Sequence, residues 1–555
     1  MSAWWREDVI YQIYPRSFAD SDGDGLGDLP GATSRLGYLR DLGVDAVWLS
    51  PFYTSPQADA GYDVADYRNV DPRFGTLADF DALMARASEL GLRVIVDLVP
   101  NHCSDEHAWF QAALAAGPGS PERSRFYFRD GQGPDGSLPP NNWMSVFGGP
   151  AWTRVVGPDG PEQWYLHLFD SKQPDWDWTY PDVRTEFESV LRFWLDKGVA
   201  GFRVDVAHGL VKKAGLPDHP GEQHTLAGVS AEPDDAAEPL PTNHSPYWDQ
   251  DGVHEIYRSW RAVLDTYSAP QRILCAEAWV TPPERMAHYL RPDEMHQAFA
   301  FDFLECHWDA VQLREAITAD TAAMAQIGAS CTWVLSNHDV VRHASRLGLD
   351  QGLPRPHGIT ADDPQPDHIL GLRRARSATM AMLALPGAAY LYQGEELGLP
   401  EHTSLPAEVR QDPAFHRTGG VETGRDGCRV PLPWAADAPA CGFSPTGASW
   451  LPQPEHWAEY AVDAQLGVAG STLELYRQLL RLRRAHRLGA GSLEWDDSYA
   501  VESVLAWRNG DLHVLVNLGA EPVSVPAGHR VAASSAPLTA DGRVPLDTAV
   551  WSVAD

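Results

Sequence analysis

Short runs of Val, Ile and other apolar residues alternate along most of the chain with longer stretches of helical periodicity. Continuous apolar runs of about four to eight residues are typical of strands that are buried on both faces. Eight such runs predict strands at 9–14, 46–50, 93–99, 201–207, 273–278, 298–303, 331–336 and 388–392. Helical patterns between them predict helices at 32–42, 77–90, 182–197, 252–267, 311–326 and 368–385. This alternation predicts an α/β fold, a closed (β/α)8 TIM barrel of parallel strands.

Two departures from the alternation divide the chain into domains. The segment 103–180 is rich in Gly, Pro and Trp and, at about eighty residues, is far longer than an ordinary loop, so it predicts an inserted subdomain after strand 3. Short alternating strands at 501–507, 512–518, 522–525 and 550–553 have no helices between them and predict a C-terminal antiparallel β-sandwich domain. We therefore predict a barrel at 1–102 and 181–488, the inserted subdomain at 103–180 and the C-terminal domain at 489–555. Irregular stretches at 215–249 and 400–470 follow the fourth and eighth strands, at the barrel face where sites form.

Composition and charge narrow the partners. The 555 residues include 43 Lys and Arg against 76 Asp and Glu, a net charge of −33, which repels nucleic acid and anionic membrane surfaces. We expect a monomer or homodimer that acts on a small-molecule substrate and has no nucleic-acid or membrane partner. No export signal is visible at the N-terminus, and the six cysteines are scattered without a CxxC pair. These features predict a cytoplasmic protein with reduced thiols.

Three carboxylates stand at the C-terminal ends of predicted strands, where a barrel gathers its reactive groups. They are Asp205 in GFRVD (201–205), Glu277 in ILCAE (273–277) and Asp339 in VLSNHD (334–339). A single carboxylate at a strand end is often a helix cap or an ion-pair member, but three on one barrel face indicate a reactive site. Asp205 and Glu277 suit acetal cleavage, which needs a nucleophile and a general acid/base. Arg203, two residues before Asp205, points to the same side and either holds Asp205 ionised or forms a purely structural ion pair.

A second acidic group occupies the loop after the first predicted strand. The segment DSDGDGLGD (20–28) places closely spaced carboxylates among glycines, an arrangement that suits hard cations with oxygen ligands. The predicted metal-site residues are Asp20, Asp22, Asp24, Leu26 and Asp28. The segment is not an EF-hand, because the twelfth loop position is Gly31 where an EF-hand has Glu. The alternative is an acidic turn that binds no metal.

Four motifs, in this order and on these strands, resemble those of glycoside hydrolase family 13, the α-amylase superfamily, and in particular its α-glucosidase and oligo-1,6-glucosidase branch. They are DLVPNH (97–102), GFRVD (201–205), AEAW (276–279) and SNHD (336–339). The resemblance covers nearly the whole chain. It implies that Asp205 is the nucleophile, Glu277 the acid/base and Asp339 the third carboxylate, which grips the ring hydroxyls. It also implies that the 20–28 loop holds one structural Ca²⁺ that takes no part in the reaction.

The resemblance also implies the sugar-binding residues. Tyr62 and Asp63 in GYDVADY (61–67) resemble the stacking tyrosine and the hydroxyl-binding aspartate of the family, and Asp97 resembles an internal support. The other members of this ring are, by resemblance, His102, Phe169, Arg203 and His338. The segment GRDGCRVPLPW (424–434) resembles one that supplies an arginine to the glucose site, and we choose Arg429 over Arg425.

Two sets of motifs give conflicting indications of which glycosidic linkage the protein cleaves. The stretch QPD (173–175) resembles the QPDL signature of exo-acting members, although Trp176 replaces Leu and Asp177 the usual Asn. Val206, directly after the implied nucleophile, accompanies α-1,6 activity in relatives, whereas DVAHG (205–209) and GRDGCR (424–429) resemble enzymes that accept maltose. We predict an exo-acting retaining α-glucosidase that releases α-glucose from the non-reducing end of maltose and short malto-oligosaccharides. An oligo-1,6-glucosidase and a trehalose- or sucrose-converting transglucosidase or isomerase stay open, and a non-catalytic relative is disfavoured because all three carboxylates are present.

Overall fold

A closed barrel of eight parallel strands forms the centre of the protein. The computed structural model describes residues 3–158, 160–219, 245–267, 270–499 and 502–555. The barrel strands are Val9–Ile13, Ala46–Leu49, Arg93–Leu98, Gly201–Val204, Ile273–Ala276, Gln297–Ala298, Thr332–Val334 and Ala388–Tyr392. They lie side by side in chain order, the first pairs with the eighth, and a bridge between Phe299 and Thr332 closes the circle. The predicted (β/α)8 barrel is confirmed.

Helices surround the barrel and cover its outer face. The α-helices are Leu29–Leu42, Leu77–Leu90, Ala108–Ala116, Pro181–Asp196, Val253–Leu264, Pro283–Ala287, Phe301–Glu305, Ala310–Gln326, His343–Arg346, His368–Ala384, Pro413–Arg417, Val462–Gln465 and Thr472–Ala485. The helix Leu77–Leu90 illustrates how local sequence sets a boundary. Thr76 accepts the Asp79 N–H and the Asp79 side chain accepts the Thr76 N–H, a reciprocal capping box that satisfies two donors at the helix start.

The sixth strand is shorter than its apolar run predicts. The run 298–303 predicts one strand, but only Gln297–Ala298 pairs in the sheet, and Phe301–Glu305 is a short helix. Phe303 and Leu304 are buried in this helix. A continuous apolar run has no period that distinguishes a buried strand from a buried helical turn.

The inserted segment after the third strand forms a small domain of its own. Next to the helix Ala108–Ala116 it contains an antiparallel sheet with strands Phe128–Arg129, Gly160–Leu166 and Trp152–Gly157, in that spatial order. Its own apolar cluster contains Trp143, Trp152 and Leu166, together with Leu216 and Tyr247 from the segment after the fourth strand. A separate hairpin, Tyr53–Thr54 with Asp66–Val70, follows the second strand. Most of the irregular stretch 215–249 lies outside the described residues.

Over its described residues, the C-terminal domain contains one antiparallel sheet, where the sequence predicts a sandwich of two. Its strands, in spatial order, are Glu494–Trp495, Val504–Asn509, Leu512–Asn517, Thr548–Ala554 and His529–Ser534. A second sheet is unnecessary because the barrel covers one face: Trp551 Nε1 donates to the Met380 carbonyl on a barrel helix at 3.1 Å. Loop residues around Val544 cover the other face. The predicted strand 522–525 contributes only an isolated bridge from Val523 to Val544, and the first residue of the predicted strand 501–507 lies outside the described residues.

Two further expectations concern the chain as a whole. Within the described ranges, no helix has both the length and the apolar composition to cross a bilayer. All six cysteines are free thiols, and four of them are buried.

Candidate active site

The three predicted catalytic carboxylates lie together at the C-terminal ends of the fourth, fifth and seventh strands. Arg203, whose side chain is 2% exposed, lies among them. Its Nη1 is 2.6 Å from Asp205 Oδ1, and its Nη2 is 3.7 Å from Glu277 Oε2. Nη1 also donates to Asp97 Oδ1 at 3.1 Å. We call this group the Arg203 cluster: the Arg203 cation is shared by Asp97, Asp205 and Glu277.

Asp205 and Glu277 are buried next to one shared cation, Arg203, and this environment favours one proton on the pair. Burial raises the pKa of Asp205 and of Glu277, because each ionised form loses hydration, and Arg203 opposes both effects. The charge on Glu277 raises the pKa of Asp205 further. Since Arg203 lies closer to Asp205, the electrostatic energy favours an ionised Asp205 and a protonated Glu277.

Asp339 has the opposite environment. Its Oδ1 accepts hydrogen bonds from Arg425 Nη1 and Arg429 Nη2, both at 3.0 Å, and its Oδ2 is 3.3 Å from His338 Nε2. Although desolvation acts to raise the pKa of Asp339, His338 and the two guanidinium groups hold it well below its usual range. Asp339 is half-buried, with a side chain 32% exposed, and is ionised at neutral pH. We call this group the Asp339 cluster.

His338 and Tyr62 form a stacked pair beside the carboxylates. Their ring centroids are 5.3 Å apart with an angle of 9° between the planes, and Tyr62 Oη donates to Asp97 Oδ2 at 3.1 Å. Burial lowers the pKa of His338 well below its ordinary value, so the ring is neutral. Gln12 Nε2 lies 2.8 Å from His338 Nδ1, which places the ring proton on Nε2, toward Asp339. These two contacts fix the ring of Tyr62 beside the carboxylates, and its stacking role toward a sugar stays a prediction.

Asp63, the predicted hydroxyl-binding aspartate, does not join this group. Its side chain is fully buried, and its two oxygens accept the backbone N–H groups of Ala58 and Asp59 at 2.7 and 3.0 Å. It holds the loop after the second strand in shape. The carboxylate that reaches the site is Asp59, whose Oδ1 accepts from Arg425 Nη2 at 2.7 Å. Acidic residues lie on both sides of Tyr62, and only the path of the turn decides which one faces the arginine.

Both candidate arginines of the segment 424–434 reach the site. Arg429 is 1% exposed and donates from Nε to the His338 carbonyl and from Nη2 to Asp339 Oδ1. Arg425 binds Asp339, Asp59 and Asp412 at once, with distances of 3.0, 2.7 and 2.6 Å. Arg425 therefore joins the loops that follow the second, seventh and eighth strands, and sequence reasoning undervalued it because these partners are far apart in the chain.

The inserted domain supplies one wall of the site. His102 lies 3.1 Å from Gln173 Nε2, which also donates to Asp59 Oδ2 at 3.2 Å. The ring of Phe169 packs against His102 with a centroid distance of 4.9 Å. Burial lowers the pKa of His102 to about 4, so this ring is neutral. The predicted residues His102 and Phe169 thus lie beside Gln173, which belongs to the QPD stretch.

A buried lysine that sequence reasoning missed fixes this wall. Lys212 Nζ is 2.8 Å from both Asp175 Oδ2 and Asn101 Oδ1, and Asn101 Nδ2 donates to Asp175 at 3.1 Å. Burial lowers the pKa of Lys212, and Asp175 opposes this effect. The ion pair connects the inserted domain to the loops after the third and fourth strands. A lysine in a surface-like KK pair gives no sequence signal of such burial.

The acidic loop (20–28) brings three of its predicted metal-site residues together. One oxygen from each of Asp20, Asp22 and Asp28 lies within 4.8 Å of the others. Asp24 is outside this group, and its Oδ1 accepts the Leu26 N–H at 2.8 Å. Asp20 accepts the N–H groups of three loop residues, Asp22, Gly23 and Gly25, and Asp28 caps the helix Leu29–Leu42. Three oxygen donors, two of them buried, suit Ca²⁺ or Mg²⁺.

Comparison with known proteins agrees with this arrangement. A family model described as the alpha amylase catalytic domain matches residues 12–490, and a domain of unknown function, DUF3459, matches residues 486–551. The chain is 39% identical over 510 residues to a probable alpha-glucosidase of Rhizobium meliloti, covering 89% of this chain and 85% of the relative. It is 33% identical over 554 residues to an oligo-1,6-glucosidase of Parageobacillus thermoglucosidasius, with coverages of 93% and 90%.

A solved structure matches along the entire length. The crystal structure of the alpha-glucosyl transfer enzyme XgtA superposes with a TM-score of 0.85 at 35% identity and covers 100% of both chains. Sequence motifs, barrel topology and relatives therefore agree, and the chain belongs to the α-amylase superfamily, glycoside hydrolase family 13.

Proposed function

We propose that the protein is an exo-acting retaining α-glucosidase that releases α-glucose from the non-reducing end of maltose and short α-glucosides. The observation that carries this proposal is the Arg203 cluster, in which one guanidinium lies 2.6 Å from Asp205 and 3.7 Å from Glu277. A double displacement typically has about 5 to 5.5 Å between its two carboxyl groups, and two carboxyls that lie against one guanidinium suit such a pair.

The reaction follows from the charge states of the pair. The ionised Asp205 attacks the anomeric carbon while Glu277 protonates the departing glycosidic oxygen, which gives a β-glucosyl ester and a free aglycone. Glu277, now ionised, takes a proton from water as the water oxygen attacks the same carbon. The ester bond to Asp205 breaks, and α-glucose leaves. Asp339, held ionised by its arginines, is suited to bind ring hydroxyls and to stabilise the positive charge of the transition state.

Exo action is supported by a network of ion pairs and hydrogen bonds around Asp339. Arg425 bridges Asp59 and Asp339, and Gln173 joins Asp59 to His102. This network links the loops after the second, third, seventh and eighth strands. Loops joined in this way suit a site that ends at a terminal glucose, whose hydroxyls would meet the charged and amide groups.

Transfer to a second sugar is a candidate activity because of an aromatic pair beside Glu277. The rings of Trp279 and Phe301 stack with a centroid distance of 3.8 Å and an angle of 11°. Trp279 is partly exposed, two residues from the proposed acid/base. A flat aromatic face next to the leaving-group position suits an acceptor sugar that competes with water. The likeness to an alpha-glucosyl transfer enzyme supports this second candidate.

Time-resolved proton NMR with equimolar maltose and isomaltose tests mechanism and linkage together. We expect α-glucose to appear from maltose before mutarotation. Early β-glucose would overturn the retaining mechanism, and faster loss of isomaltose would make the protein an oligo-1,6-glucosidase, as Val206 favours. New disaccharides with little glucose would establish transfer as the main activity.

We further propose that the acidic loop binds one structural Ca²⁺ through Asp20, Asp22 and Asp28. A bound cation would offset the repulsion among three carboxylates and stabilise the loop against the segment it contacts, where Thr446 Oγ1 donates to the Gly23 carbonyl at 2.7 Å.

A cytoplasmic location also stays a prediction, which the free state of the six cysteines supports.

A further inference from the structure

The backbone turns abruptly at Val206, which follows Asp205 in the chain and contacts Glu277. Val206 has φ of +45°, a left-handed conformation that is a genuine outlier for a β-branched residue. Its side chain is buried. The Gly209 N–H donates to the Val206 carbonyl at 2.9 Å, and a Cβ at Gly209 would lie 2.7 Å from Val206 Cγ1. Strained conformations of this kind persist where surrounding contacts fix them, and they cluster at active sites.

The turn gives Glu277 two backbone donors in succession. The Val206 N–H donates to Glu277 Oε2 at 2.7 Å, and the Ala207 N–H donates to the Glu277 main-chain carbonyl at 2.8 Å. Successive N–H groups of an extended strand point to opposite sides, so a continued strand could not aim both at one residue. A left-handed residue between them allows it, as in the backbone nests that bind anions.

We propose that the left-handed backbone of Val206 is a positioning device for the acid/base, because its N–H fixes Glu277 Oε2 and leaves Oε1 as the oxygen that exchanges the proton. The proposal rests on the role of Glu277 in the proposed function and adds how that carboxyl is oriented and tuned. Asp205 N donates to the Leu98 carbonyl on the opposite side, so Val206 supplies the backbone N–H of this segment that reaches the side chain of Glu277.

The hydrogen bond from the Val206 N–H to Glu277 Oε2 also affects the proton affinity of the Glu277 carboxyl. A donor to a carboxylate stabilises the ionised form, and the Val206 N–H lowers the pKa of Glu277 against the larger effect of burial. Without it, Glu277 would hold its proton more tightly, which makes it a poorer proton donor in the first step and leaves less of it ionised as the base of the second step. The strain at Val206 thus serves both halves of the double displacement.

Replacing the Val206 amide by an ester tests this directly, because incorporation of the α-hydroxy analogue of valine removes the N–H and keeps the side chain. The alkaline limb of kcat/KM against pH, measured with p-nitrophenyl α-glucoside, reports the Glu277 proton. We expect the limb to move up by about one pH unit and kcat to fall about tenfold. The matched control is the ester at Ala207. It removes the hydrogen bond from the Ala207 N–H to the main-chain carbonyl of Glu277 and should leave the alkaline limb at the same pH.

Failure of the proposed function is distinguishable. If the alkaline limb of the unmodified enzyme persists in Glu277→Gln, Glu277 is not the acid/base and both proposals fall. If the limb disappears in that variant but does not move in the Val206 ester, only the positioning role is overturned. An equal shift in both esters would also overturn it.

A second measurement uses the unmodified backbone and does not depend on folding of the ester. In protein labelled with ¹⁵N-valine, the Val206 amide proton should move downfield as Glu277 ionises, and the shift should be absent in Glu277→Gln. An amide resonance that does not titrate would contradict the proposal.

Discussion

The Arg203 cluster and the Asp339 cluster use the same groups in different proportions. In the first, one guanidinium is shared by Asp97, Asp205 and Glu277. In the second, Asp339 contacts two guanidinium groups and a histidine, and one of these guanidinium groups, that of Arg425, also contacts Asp59 and Asp412. Burial raises the pKa of the proposed reactive pair, while the cations keep the pKa of Asp339 low. The number of cations that contact a carboxylate therefore distinguishes the Asp205–Glu277 pair, which holds a proton, from Asp339, which stays ionised.

The largest expected effect comes from removing the proposed nucleophile. Asp205→Asn should lower kcat by at least about 10⁴-fold while the fold remains, because Asn cannot form the glucosyl ester. Steady-state kinetics measure the loss of kcat, and circular dichroism checks that the fold remains.

A second variant tests the nucleophile chemically. In Asp205→Ala with α-glucosyl fluoride, added azide should yield β-glucosyl azide. Asp97→Asn, which touches the same arginine, is the control and should cost much less activity; an equal loss would argue that charge balance, and not covalent catalysis, explains the result.

The next effect tests the second cluster. Arg425→Met should lower kcat/KM by about 100-fold, because Asp59 and Asp412 lose their ion-pair partner and Asp339 keeps only one arginine. Kinetics with maltose measure the loss. Arg429→Met is the matched variant, since Arg429 also contacts Asp339 at 3.0 Å. If Arg429→Met is impaired and Arg425→Met is not, Arg429 is the sugar-site arginine, as the sequence alone suggests.

Asp320 extends the comparison to a carboxyl with no cation. Among the described residues it makes no ion pair, its Oδ2 is buried without a hydrogen-bond partner, and burial raises its pKa to about 8. The folded state therefore binds the proton more tightly than the unfolded state, so stability is greatest below pH 4 for this group and is lost as pH rises toward 8. Asp320→Asn should stabilise the protein at pH 8 by about 2 kcal/mol.

Thermal unfolding of Asp320→Asn at several pH values checks the sign. The gain over the parent protein should shrink toward pH 5, where Asp320 is protonated in the folded state. A constant gain across this range would mean that the amide makes a new hydrogen bond and that charge burial is not the cause.

The smallest expected effect concerns the acidic loop (20–28), because its carboxylates already accept hydrogen bonds from backbone N–H groups. If Ca²⁺ occupies it, chelation should lower the melting temperature by about 2 to 5 °C, with activity retained at moderate temperature. Asp22→Asn should reduce the response to Ca²⁺, whereas Asp24→Asn, outside the group of three oxygens, should change it less. An unchanged melting temperature in metal-analysed protein would contradict the proposed site.

The barrel was predictable because its information is local. Apolar runs set the eight strands, and strand ends set Asp205, Glu277 and Asp339 at one face. The sixth strand and the edge strand His529–Ser534 were harder: the first merges with a helix in one apolar run, and the second is largely exposed and lacks a clear alternation. Sequence reasoning missed Asp59 and Lys212 and ranked Arg425 below Arg429. Loop paths and partners distant in the chain place these three residues, and no periodicity along the chain encodes either.

The contact between Asp59 and Arg425 joins residues 366 positions apart, and the first barrel strand pairs with the eighth. A ribosome adds about 5 to 20 residues per second, so roughly 20 to 70 s separate the synthesis of the two partners. During that interval the nascent chain holds an unpaired edge strand and an incomplete sugar pocket. Activity therefore appears only when synthesis is nearly finished, and a chain that stops before the segment 424–434 leaves the ribosome without the arginines that complete the site.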